Sequence, residues 1–297
     1  MPLTVDVFGA LAEPWDPEFM RRALIAAALL AIVASIVGSL VVLKGMAFIG
    51  DALPHASFVG VAAAFALGAN LQLGGAIAAL FWALAIGFIT RHNLVRYDTA
   101  IGLSLMAGFA GGVLIMSRQD NYTTDLFAFV FGNVLAVSWG DVWLIVILGA
   151  AILALVALFY KEVLFFAYDP SMAAASGLPV TALHYGLLMV IGLTVVIGLQ
   201  VMGIVLVLAM LVAPPAAAQL LTRSLPAMMA AAAVIGALSA LVGLYIAWYA
   251  DVSASAAIVL TATGAFLLAF FCAPGRGLLW RGFSPAIPEL GARLKIR

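Results

Sequence analysis

Two side chains in the stretch from Lys44 to Asn70, KGMAFIGDALPHASFVGVAAAFALGAN, carry chemistry that their surroundings lack. Asp51 is a carboxylate and His55 an imidazole, in a run otherwise apolar enough to cross a bilayer. On a helix, their four-residue spacing stacks them on one face, one turn apart. Ionisable groups at membrane depth are costly and are there for a function by default. A carboxylate beside an imidazole is a binding pair for a transition-metal cation. Zinc usually takes four ligands and manganese more, so either other spans contribute or a second copy of the chain brings its own pair. A structural reading stands beside this one. Asp51 would cap a helix N-terminus, Pro54 would be tolerated in the first turn, and His55 would be a neutral ring bonded to a backbone carbonyl. Counted from Lys44 at 1.5 Å per residue, Asp51 lies about 10 Å and His55 about 16 Å along the helix.

These residues must be positioned by a membrane fold. The 297 residues are 66% hydrophobic and 9% charged, with a mean hydropathy of +1.23. Soluble domains have roughly 25% charged residues, so the chain is an all-α polytopic membrane protein. Runs of about 20 apolar residues give nine spans. These are 23–43, 46–67, 73–90, 99–116, 142–160, 183–199, 202–221, 227–247 and 254–271, and the 183–221 region also admits an eight-span parse. The piece 126–132 is too short to span and is expected at the interface. Residues 1–19 form a leader with four acidic residues and no early basic region, so it does not read as a cleaved signal peptide. Residues 20–279 form the transmembrane domain, and 280–297 a basic tail.

Lysine and arginine set the orientation. Lys44, Arg91, Arg96, Lys161, Arg223, Arg276, Arg281, Arg293, Lys295 and Arg297 fall on one side, and Arg21, Arg22 and Arg118 on the other. Ten against three places the C-terminus and the 161–180 loop in the cytoplasm. Zero net charge gives no basic surface for nucleic acid. The single Cys272 excludes an internal disulfide and a multi-thiolate metal site, and reads as a buried inert thiol. His92 and His184 read as ordinary interface residues. Gln200 at a span end, and Pro214 and Pro215 inside the seventh span, are candidate pathway residues, because broken helices line transport routes. A helix-end cap for Gln200 and a packing kink for the prolines are the plainer readings. No Gly-rich loop followed by Lys-Ser/Thr, catalytic triad, thiol pair or His-Glu-x-x-His helix is visible, so the chain does not read as an enzyme.

The loop YDPSMAAASGLPV is the second informative stretch. Asp169 and Pro170 start a short helix through Ser171, and Gly177, Leu178 and Pro179 end it. Such a cytoplasmic helix between two spans suits docking onto a motor subunit, or is simply a well-formed loop.

Together, GDALPHASFVGVAAAFALG, FVFGNVLAVSWGDV, YDPSMAAASGLPV and LQVMGIVLVLAMLVAPPAAAQLL resemble, in order and spacing, the permease subunits of zinc and manganese ABC importers. The resemblance runs from about residue 20 to 279. It implies a vitamin-B12-importer-like helical fold and a homodimer in the bacterial plasma membrane, paired with a separate ATPase and a periplasmic or surface metal-binding protein. It also implies metal coordination by Asp51 and His55, and a coupling helix over 169–180. Pro54 stands where many members have Ser, and Val59 where many have Pro. The expected function is therefore import of a divalent metal, zinc or manganese, held transiently by the pair. The alternatives are an ABC importer of iron or a metal chelate, and a secondary transporter using Asp51 and His55 as a proton relay. One carboxylate and one imidazole do not choose between the metals.

Overall fold

The computed structural model describes residues 12–91, 95–118, 134–273 and 277–278, with the side chains of residues 200 and 201 outside the described ones. Among the described residues eleven α-helices follow one another: α1 Glu18–Leu43, α2 Ile49–Ala66, α3 Leu71–Thr90, α4 Tyr97–Met116, α5 Trp139–Leu158, α6 Tyr160–Tyr168, α7 Pro170–Ala175, α8 Val180–Met202, α9 Ile204–Leu221, α10 Leu225–Ala250 and α11 Ala254–Cys272. Among the described residues, nine are long and apolar enough to cross a membrane, which are all but α6 and α7. The nine expected spans each coincide with one of them. The 126–132 piece, His92 and the 280–297 tail lie outside the described residues.

In lipid, hydrophobicity gives helices no reason to associate, so small residues and interhelical hydrogen bonds hold the bundle together. Central α1 packs against α5, α8, α9 and α10, and α11 closes over α9 and α10. The tandem prolines of α9 show how this works. Pro214 and Pro215 cannot donate, which orphans the carbonyls of Met210 and Leu211 four residues earlier. The Ser35 hydroxyl of α1 donates to the Met210 carbonyl at 3.3 Å. Gly38 lets α1 come so close to the Leu211 carbonyl that a Cβ there would collide with it. Both prolines are buried. Gly38→Ala is expected to lower stability by about 1–3 kcal/mol through overpacking. A melting scan in detergent checks this, and an unchanged midpoint would count against that close approach.

The two ends of the bundle differ. At one end the segment before α1 is tied down, with Trp15 Nε1 donating to Tyr245 at 2.8 Å, Tyr249 donating to Glu13 at 3.1 Å and Trp139 donating to Glu18 at 3.0 Å. These aromatic residues form the kind of belt that sits at a membrane–water interface. The opposite end carries Lys44, Arg91, Arg96, α6 and α7. Cys272 is exposed rather than buried, because it ends α11 beyond the stripe of that helix that packs on its neighbours.

Candidate metal site and the elements that hold it

The helix carrying Asp51 and His55 starts later than its apolar run suggests. Lys44 ends α1 and Gly45 follows at φ +66°, a left-handed conformation that glycine adopts without strain. Gly45 N–H donates to the Val42 carbonyl and Met46 N–H to the Val41 carbonyl, which together make a Schellman turn. A short turn then leads to Ile49, the first residue of α2. Asp51 is thus about 3 Å and His55 about 9 Å into the helix, shallower than a count from Lys44 gives.

Asp51 does not cap α2. Phe48 occupies that position without a side-chain bond, and Asp51 sits in the first turn, where a carboxylate favours the positive end of the helix dipole. Pro54 lies one turn further on, inside the helix, and removes the donor that would reach the Gly50 carbonyl. Ser57 Oγ donates to the Pro54 carbonyl at 2.6 Å. On its inner side α2 rests on α9, where a Cβ on Gly50 would lie 3.4 Å from Leu208.

His55 Nδ1 lies 2.8 Å from the Asp51 carbonyl oxygen and 3.3 Å from Asp51 Oδ1. A carbonyl can only accept, so Nδ1 carries the hydrogen and donates. That fixes the tautomer and leaves the Nε2 lone pair for a ligand, the usual device by which a protein orients a metal-binding imidazole. The two side chains, His55 and Asp51, remain 31% and 33% exposed and look out from the protomer. Beside them stands Phe109 of α4, its ring centroid 6.2 Å from that of His55 and edge-on to it. Among the described residues no group of three or more His, Cys, Asp or Glu side chains converges, so one copy offers this pair alone.

The second expected site is a well-made element. Asp169 Oδ1 accepts from the N–H groups of Ser171 and Met172 at 3.0 and 2.9 Å, and Pro170 opens α7. Gly177, at φ +82°, closes the helix with a second Schellman turn, Leu178 N–H reaching the Ala173 carbonyl at 3.1 Å. Ala173 is buried beneath it, while Tyr168 and Met172 project outward. Gln200 lies on α8, with its side chain outside the described ones.

One group of residues is not evident from the sequence. His184, expected at the interface, is buried. Its Nε2 faces the Gly87 carbonyl at 3.3 Å and Thr90 Oγ1 at 3.2 Å, and its Nδ1 faces the Tyr97 hydroxyl at 3.0 Å. The Thr90 hydroxyl gives its own hydrogen to the Ile86 carbonyl, so Nε2 donates and Nδ1 accepts from Tyr97. A neutral imidazole thus joins the ends of α3, α4 and α8. Phe166 of α6 lies edge-on to it at 6.3 Å, with the Lys44 ammonium 3.8 Å above the Phe166 ring centroid. The sequence holds one signal for this group: Pro170, four residues after Phe166, cannot satisfy the Phe166 carbonyl.

The sequence model of the ABC 3 transport family matches residues 16–273. The chain is 42% identical over 268 residues to the manganese transport system membrane protein MntC of Halalkalibacterium halodurans, covering 89% of this chain and 92% of that protein. It is 43% identical over 263 residues to MntC of Listeria monocytogenes, covering 89% and 94%. Its structure resembles that of PsaBC from Streptococcus pneumoniae in complex with Fab, with a TM-score of 0.80 and 36% identity over 93% of this chain and 99% of that one.

Proposed function

The chain belongs to the ABC 3 transport family, and from that premise we propose that it is the permease subunit of an ATP-driven importer of divalent metal, with manganese as cargo. The observation that carries this reading is His55 Nε2, left with its lone pair open to a ligand beside a carboxylate on a membrane-spanning helix. The names of the manganese-transport relatives support manganese over zinc and iron. Proton relay is less favoured: Nδ1 is committed to the Asp51 carbonyl, and the pair has no onward polar chain across the bundle among the described residues.

A second copy completes the site. A carboxylate left partly open on a protomer face at membrane depth is costly unless protein or water covers it. Two copies meeting at this face bring two carboxylates and two imidazoles together. With water, that set serves an octahedral ion such as manganese and holds it loosely enough to release. The C-terminal end of the bundle faces the cytoplasm, where α7 docks on a separate ATPase subunit. A binding protein delivers metal to the opposite, aromatic-belted end, and the membrane is the bacterial plasma membrane.

The test is uptake of manganese(II) into vesicles holding the permease, its ATPase and its binding protein. ATP-dependent uptake is expected, with zinc and iron(II) in excess competing weakly. Uptake driven by a proton gradient without ATP would defeat the reading.

A further inference from the structure

We infer that Lys44 is the strut through which the α6–α7 elbow sets the position of the metal-site helix α2, a positioning residue for transport. The inference rests on the reading of α7 as the ATPase-facing element. Its starting point is an unpaired carbonyl. Phe166 lies in the last turn of α6, and its partner in a continuing helix would be the N–H of residue 170, which is proline. Lys44 fills the gap. Its ammonium donates to the Phe166 carbonyl at 3.4 Å and lies 3.8 Å over the centre of the same ring. A cation is favourable at this negative end of α6, and the aromatic face adds a cation–π contact that partial desolvation strengthens.

Each end of this contact is anchored. Phe166 is only 3% exposed and packs edge-on to His184, which is itself bonded to α3 and α4. Lys44 ends α1, where the Schellman turn at Gly45 and the fully enclosed Met46 fix the chain that leads into α2. Asp51 comes seven residues after Lys44, most of that distance being one tight turn. At the other end, Asp169 both ends α6 and caps α7, so those two helices move as one elbow. Among the described residues no carboxylate pairs with Lys44. Burial also holds its ammonium below the usual lysine range. A push on α7 therefore reaches α2 through Lys44, whereas the peptide chain itself runs from α7 into α8.

The experiment uses the full transporter in vesicles, with permease, ATPase and binding protein, and reads manganese(II) taken up and phosphate released in the same sample. Lys44→Met keeps the aliphatic stem and removes the ammonium. Manganese moved per ATP is expected to fall about fivefold or more, the scale of a lost coupling between sites, with ATP hydrolysis little changed. Lys44→Arg, which can both donate and stack, is expected to restore at least half of the ratio. A merely structural lysine would lower the amount of complex and leave the ratio alone, so an unchanged ratio in K44M overturns the inference. If K44M fails to assemble, Phe166→Leu replaces it, and an unchanged ratio there overturns the inference equally. Wild-type vesicles showing no ATP-driven uptake would instead overturn the transport reading itself.

Discussion

Replacing His55 with alanine is expected to cut manganese uptake by about 100-fold or more, a loss of roughly 2.7 kcal/mol in stabilisation of the ion on its path. The reasoning is geometric. Nδ1 is occupied by the Asp51 carbonyl at 2.8 Å, so Nε2 is the atom left to bind, and alanine removes it. Asp51→Asn is expected to have a comparable effect, since it keeps the shape of the side chain and deletes the charge that selects a cation. Neither change should harm folding. Both side chains are about one-third exposed, and among the described residues the carboxylate is used only in the local contact with His55. Substitutions at such places usually stay within about 0.5 kcal/mol. The measurement is initial uptake rate at matched membrane abundance, with complex assembly followed by co-purification of the ATPase. Normal uptake by either variant at normal abundance would remove the pair from the transport path.

Most of the architecture is legible because membrane spans are written in composition. About 20 apolar residues in a row is a strong signal, and each of the nine expected spans finds its helix. The caps are legible for a similar reason. Asp169 before Pro170, and Gly177 after a run of alanines, are local signals with local causes. What hydropathy cannot show is the start of α2. Residues 46–48 are as apolar as a helix, yet Gly45 in a left-handed conformation turns the chain first, which moves Asp51 nearer the helix end and denies it the cap.

Contacts between distant segments are hidden for a different reason. That Ser35 meets the Met210 carbonyl, or Lys44 the Phe166 carbonyl, depends on which helices become neighbours. The sequence does announce the need, since each proline inside or just after a helix leaves one carbonyl without its donor. It does not say which residue answers. In this chain the prolines at 170 and 214 are answered from α1 or its end, so the central helix supplies the polar contacts that its neighbours lack. The same logic explains why the sequence does not show how His184 is enclosed. A histidine near a span end looks like an interface residue until Thr90, Tyr97 and Gly87 are seen to enclose it.

Gly108→Val is expected to damage both stability and uptake, although residue 108 carries no ligand. In α4, Gly108 lies directly on the backbone of Ala56, the residue after His55, and an added Cβ would run into the Ala56 carbonyl. Backbone cannot rotate away as a side chain can, so α4 must lift from α2. Overpacking of this kind costs about 1–3 kcal/mol and at times more. The displacement also withdraws Phe109, which now stands 6.2 Å from His55 and 5.7 Å from Phe58, from beside the Asp51–His55 pair. Gly102 supplies the internal control. It lies on the same helix with nothing within 4 Å of the place a Cβ would take, so Gly102→Ala should be neutral, or stabilising by up to about 1 kcal/mol from helix propensity. Melting midpoints in detergent and manganese uptake in vesicles would be read for both variants. Equal behaviour of the two would mean that the α2–α4 contact does not hold the site. A selective loss in G108V would mean that the Asp51–His55 pair depends on how closely α4 approaches α2.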